Sequence, residues 1–143
     1  MTHAPTAGRR SHAPRRTWEI RITDEDKRGD QDEESFEVNV DGAFRSLRLH
    51  DYDQIFRLPG LYEQLVYQKL KCRTPKRLIG LLQLVLRDWH FDPATLRALD
   101  LGAGNGIVAE YLRRIGVDTV IGADIIPEAA MAATRDRPRP NRF

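Results

Sequence analysis

Between residues 100 and 106 the chain reads Asp100-Leu101-Gly102-Ala103-Gly104-Asn105-Gly106, and a second acid, Asp124, follows the next apolar run. Each residue type has a chemical use. Glycines at 102, 104 and 106 let the backbone turn sharply and let a ligand approach with no Cβ in the way. A helix opening near Gly106 points free N–H groups and its positive end into the same space. A carboxylate at the end of the neighbouring strand, Asp124, can accept from both hydroxyls of a ribose. Asp100 adds negative charge beside the turn, which suits a cationic ligand better than a pyrophosphate.

The flanking pattern supplies the elements that would hold these groups. Leu96 to Leu101 is a short, mostly apolar run and reads as a strand. Ile107, Val108, Tyr111, Leu112 and Ile115 recur at helical period, and Gly116 is a C-terminal stop. Val117 to Ala123 reads as a second strand, ending at Asp124. Pro127 and the alanine-rich run to Thr134 open another helix, which Pro138 stops. Strand, helix, strand, helix predicts a right-handed parallel crossover unit over residues 96–143.

The part before it has a different character. Residues 1–17 carry Arg9, Arg10, Arg15 and Arg16 with no acid, and read as a disordered basic tail. Trp18 to Ile22 and Phe36 to Val40 alternate apolar and polar, the period of half-buried strands, and an acidic loop lies between them. Asp41-Gly42 then separates the second run from Phe44-Arg45-Ser46-Leu47-Arg48-Leu49, a hairpin signal because both turn positions need positive φ. Residues 18–50 are expected to form a small antiparallel β unit. From Asp51 the spacing of Ile55, Leu58, Leu61, Leu65 and Leu70 is helical, interrupted by Pro59-Gly60. Thr74-Pro75 starts a further helix whose Leu78, Leu81, Leu82, Val85, Leu86 and Trp89 predict burial on most sides. Asp92-Pro93 closes a helical cap over residues 51–95. The fold class expected is α/β.

Composition narrows the options. The 143 residues are 41% hydrophobic and 31% charged, enough for one domain with polar flanks. No apolar run approaches the ~18 residues of a membrane span, and no membrane partner is expected. The net charge of +2 does not indicate nucleic acid. A single cysteine, Cys72, excludes an internal disulfide framework and points to the cytoplasm. Cys72 reads as a structural thiol, and Lys71, Arg73, Lys76 and Arg77 as a solvated helix junction rather than a phosphate grip. His3, His12, His50 and His90 lack metal-ligand spacing, so no metal site is expected.

Leu99 to Gly106 closely resembles motif I of class I S-adenosylmethionine-dependent methyltransferases, and Gly122-Ala123-Asp124-Ile125 resembles their second motif. The resemblance runs through residues 96–137. It implies a Rossmann-like sheet that binds S-adenosyl-L-methionine and a methyl transfer to an unidentified acceptor, with a small molecule favoured. It implies that Gly102, Gly104, Asn105 and Gly106 line the methionine and ribose end of the cofactor. Asp100 would sit near the amino group, Asp124 on the ribose hydroxyls and Ile125 against the adenine. Residues 50–63 are similar to the family's helical cap, and Tyr62 is a further contact or a core aromatic. The family's sheet is larger than the two strands assignable here. The chain is therefore expected to be an amino-terminal fragment with weak or no activity, able to self-associate through an open sheet edge. No catalytic residue is assigned. Two alternatives stay open: a fragment of an NAD-dependent oxidoreductase, disfavoured by G-x-G-x-G in place of G-x-G-x-x-G, and a non-catalytic interaction module on a βα scaffold.

Overall fold

The computed structural model describes residues 16–22 and 34–137. Most of the expected basic tail, the acidic loop and the Pro138 stop lie outside them. The first unit is an antiparallel sheet in the order β1 (Ile20–Ile22), β2 (Ser35–Val40), β3 (Ala43–Arg48). Along β2 the residues Phe36, Val38 and Val40 are buried and their neighbours are not, as the alternation predicts. Asp41 (φ 54°) and Gly42 (φ 91°) both take left-handed backbone, the geometry that matches a two-residue turn to the twist of its strands. Asn39 Oδ1 accepts from the Gly42 N–H at 3.0 Å and fastens the turn.

β1 is shorter than the Trp18–Ile22 alternation suggests. Glu19 still accepts from the Asn39 N–H at 2.9 Å, but Trp18 is held by a side chain instead of a strand. Buried Gln64 accepts from the Trp18 N–H at 2.8 Å and donates to its carbonyl at 2.5 Å. The indole Nε1 donates to the Pro59 carbonyl at 2.9 Å. This joins the sheet to the helical segment in one core of Trp18, Phe36, Val38, Ile55, Leu61 and Leu65, with their neighbours.

The helical segment opens with α1 (Tyr52–Arg57) and breaks at Pro59-Gly60, where Gly60 has φ 75°. A π-helical stretch, Glu63–Lys69, follows, and then α2 (Thr74–Asp88) with Pro75 in its first turn. The expectation that α2 is buried on most sides is corrected. Only Ile79 and Leu86 are buried, while Leu78, Leu81, Leu84, Val85 and Trp89 face outward. The reason is that α2 packs chiefly on α3, and among the described residues its outward apolar side stays exposed.

The second sheet pairs β4 (Arg97–Leu101) with β5 (Thr119–Ala123) in parallel, Leu99 beside Ile121 and Asp100 beside Gly122. α3 (Ile107–Arg114) connects them and α4 (Pro127–Asp136) follows. Both strands begin later than the apolar runs do, because the backbone of the first residues is used elsewhere. Leu96 N–H closes a 3₁₀ turn over Pro93–Thr95, and Val117 N–H caps α3 by bonding to the Leu112 carbonyl. Gly116, at φ 103°, makes that helix stop possible.

Ile79, Ala109, Leu112 and Val120 form the core on one face of this sheet. Leu99, Leu101 and Ile121, on the other face, are exposed, and β4 has no strand on its far side among the described residues. The molecule is thus a mixed α/β structure with a three-stranded antiparallel and a two-stranded parallel sheet. No helix among the described residues is long and apolar enough to cross a membrane.

Candidate functional site

The glycine turn lies where β4 meets α3. Gly102 (φ 72°), Gly104 (φ 53°) and Gly106 (φ 78°) all take left-handed backbone, which residues with a Cβ adopt only at a cost of roughly 1–2 kcal/mol each. The turn is pinned from β5: the N–H groups of Gly102 and Ala103 both donate to the Ala123 carbonyl, at 2.8 and 3.1 Å. A Cβ on Gly102 would meet nothing within 4 Å, so this side of the turn is open. A Cβ on Gly104 would stand 3.5 Å from Phe56 Cζ, so α1 approaches the turn from the other side.

Asp124 sits at the end of β5, as expected, but its oxygens point at the backbone. Oδ2 accepts from the Gly104 N–H at 2.7 Å and Oδ1 from the Ile126 N–H at 2.9 Å. The carboxylate is a brace that fixes the glycine turn and the start of α4 together. Each oxygen has two lone pairs, so each keeps one acceptor position beyond these bonds.

Asp100 is half-buried on the covered face of β4. Its Oδ2 is fully buried with no hydrogen-bond partner. Burial, reinforced by the nearby Asp124 charge, pushes its carboxyl above the usual range. Ile125 is 95% exposed. Asn105 is buried; its Nδ2 donates to Glu63 Oε2 at 3.1 Å, while its Oδ1 is unpartnered.

The residues expected to face a ribose and a cationic group differ in what they offer. Asp100 Oδ2 is an acceptor without a donor, Gly102 leaves open space, and Ile125 is a bare apolar surface. Asp124 offers one remaining lone pair on each oxygen, already oriented by two N–H groups. Asn105 and Gly106 are buried among protein atoms and shape the turn from beneath. The expected site residues are therefore brought to one end of the parallel sheet, in two layers: Asp100, Gly102, Gly104, Asp124 and Ile125 around the turn, Asn105 and Gly106 under it.

Two groups of residues at this site were not foreseen, Tyr62 apart. Arg137, 7% exposed in its side chain, joins three elements. Its Nε donates to the Asn105 carbonyl at 3.2 Å, Nη1 to Glu110 Oε2 at 2.9 Å and Nη2 to Glu63 Oε2 at 2.5 Å. The sequence signal available was Pro138, which biases the residue before it towards extended backbone. Arg137 is extended (φ −115°, ψ 128°) and leaves the axis of α4. The second group is aromatic. Phe56 and Tyr62 lie 4.8 Å apart between ring centroids, with Tyr52 stacked on Phe56 at 6.3 Å and Tyr67 edge-on to Tyr62 at 5.9 Å. Tyr62 is thus built into a cluster beside the turn, and burial pushes its phenol up. Arg57 ties α1 to α4 through Glu128 at 2.8 Å.

Comparison with protein-family models, with curated proteins and with solved structures finds no match.

Proposed function

We propose that this chain is the cofactor-binding unit of an S-adenosyl-L-methionine-dependent methyltransferase with a Rossmann-like architecture. The observation that carries the reading is the pair of acids at an open glycine turn. Asp100 presents a buried oxygen with no donor, and Asp124 stands close enough for its charge to act on it. Two carboxylates at one turn repel a pyrophosphate and attract a ligand that brings cationic charge and N–H or O–H donors. The cofactor has both, and when bound it supplies an electrophilic methyl group. In this reading Asp100 takes the ammonium end, Asp124 the ribose hydroxyls through its remaining lone pairs, and Ile125 the adenine face. Gly102 and Gly104 let the ligand approach the backbone. Phe56 and the tyrosines beside it back the turn. The acceptor is a small molecule; transfer to it depends chiefly on alignment at about 3–3.5 Å.

A second reading rests on the Asp124 bonds. With both oxygens on backbone N–H groups, the carboxylate serves the turn itself, as a βα scaffold without a ligand requires. Titration calorimetry decides. S-adenosylhomocysteine is expected to give a saturable heat and NADH none, and Asp100→Asn is expected to abolish the heat in a folded protein. Heat from NADH alone would favour the oxidoreductase alternative, and no heat from either ligand would favour the scaffold.

A further inference from the structure

The stretch from Gln64 to Arg87 contains no Asp or Glu, yet it holds Lys69, Lys71, Arg73, Lys76, Arg77 and Arg87. The first five are exposed, and none of them forms an ion pair among the described residues. They gather where the π-helical stretch passes into α2. Along α2, Leu78, Leu81, Val85 and Trp89 recur at spacings of three and four, so they share one stripe of the helix. All four are exposed, Trp89 by 71%, and its ring stacks on Phe91 at 6.4 Å. The adjoining side of α2 is anchored on α3 through Ile79, which leaves the stripe facing outward.

An exposed apolar stripe bordered by unneutralised cations is the pattern of a helix that lies in a membrane–water interface. We propose that α2 and the basic turn before it dock this protein on the surface of an anionic lipid bilayer. The stripe enters the headgroup boundary, Trp89 and Phe91 sit at the interface, and the lysines and arginines face lipid phosphates. Charge selects this occupant over the others. A second copy brings to this face only Asp88, already paired with Arg87, and Asp92, too little to answer five unpaired cations. A nucleic acid would satisfy the cations but leave Leu78, Leu81 and Val85 against a polar backbone. No spanning is implied, and the glycine turn takes no part.

The two tryptophans make the test direct. Trp18 is 2% exposed and fixed by Gln64, so a change in emission reports Trp89. The full chain is mixed with phosphatidylcholine vesicles, with and without about one-third phosphatidylserine. Co-sedimentation and a blue shift with the anionic vesicles, weakened by salt, are expected, with little of either on neutral lipid. Arg73→Gln, Lys76→Gln and Arg77→Gln are each expected to weaken partitioning about fivefold. Leu81→Ser with Val85→Ser is expected to abolish the blue shift while Trp18 emission and helicity are kept. Absence of binding to anionic vesicles overturns the proposal. So does equal binding to neutral vesicles, a concentration-dependent blue shift at dimer mass without lipid, or tighter binding to a short DNA duplex than to the vesicles.

Discussion

Replacing Arg137 with alanine removes one side chain and releases three elements. The guanidinium is nearly buried and answers Glu63, Glu110 and the Asn105 carbonyl at once. Without it two carboxylates, at 20% and 29% side-chain exposure, face each other across a cavity. Removing one partner of a buried ion pair costs about 3–5 kcal/mol. The two glutamates retain some contact with water, which places this substitution near the lower end, at about 3 kcal/mol. For a chain of this size that corresponds to roughly 6–12 °C in melting temperature. Urea unfolding followed by circular dichroism gives the free energy. The double variant Arg137→Ala, Glu63→Gln separates the causes: neutralising one carboxylate is expected to return about 1 kcal/mol or more by relieving repulsion. A loss below about 1 kcal/mol for the single variant, or no recovery in the double, refutes the view that Arg137 is the ionic joint of the site.

Asp100→Asn has a signed pH dependence. The folded protein raises the Asp100 carboxyl, so its stabilising contribution is complete below the ordinary carboxylate range and is lost as pH rises through the folded value. The amide variant is therefore expected to be more stable than the parent at pH 7, by roughly 1 kcal/mol, because it carries no charge to be desolvated or to repel Asp124. The advantage disappears near pH 3, and melting curves across that range check it. Asp124→Asn can serve only one of the two N–H groups, at Gly104 and Ile126, and turns a donor against the other. It is expected to cost about 2 kcal/mol by denaturant titration and to remove any heat with S-adenosylhomocysteine.

The elements that came from periodicity and turn chemistry were legible. Asp41-Gly42, Pro59-Gly60, Thr74-Pro75 and Gly116 each impose a local backbone state that no distant contact alters. The glycine turn was legible because glycines at 102, 104 and 106, set between a strand and a helix, permit the positive φ that such a turn needs. The outward stripe of α2 was not. A hydrophobic pattern says which residues prefer burial, and whether a neighbour arrives to bury them is decided by packing. The Asp124 brace was hidden because a carboxylate after a strand reads the same whether it turns to a ligand or to a backbone N–H. Arg137 was hidden because its partners lie far away in sequence, and a cation before a proline looks like surface.

Glu63 and Gln64 are consecutive residues, yet one reaches Arg137 and Asn105 while the other grips both backbone groups of Trp18. A single peptide unit at the start of the π-helical stretch is thus a rivet between the antiparallel half and the parallel half. Any torque on one half is delivered to the other through it. Expressing either half alone would strand one of these two side chains beside an empty socket, so the halves are expected to melt together as one cooperative unit.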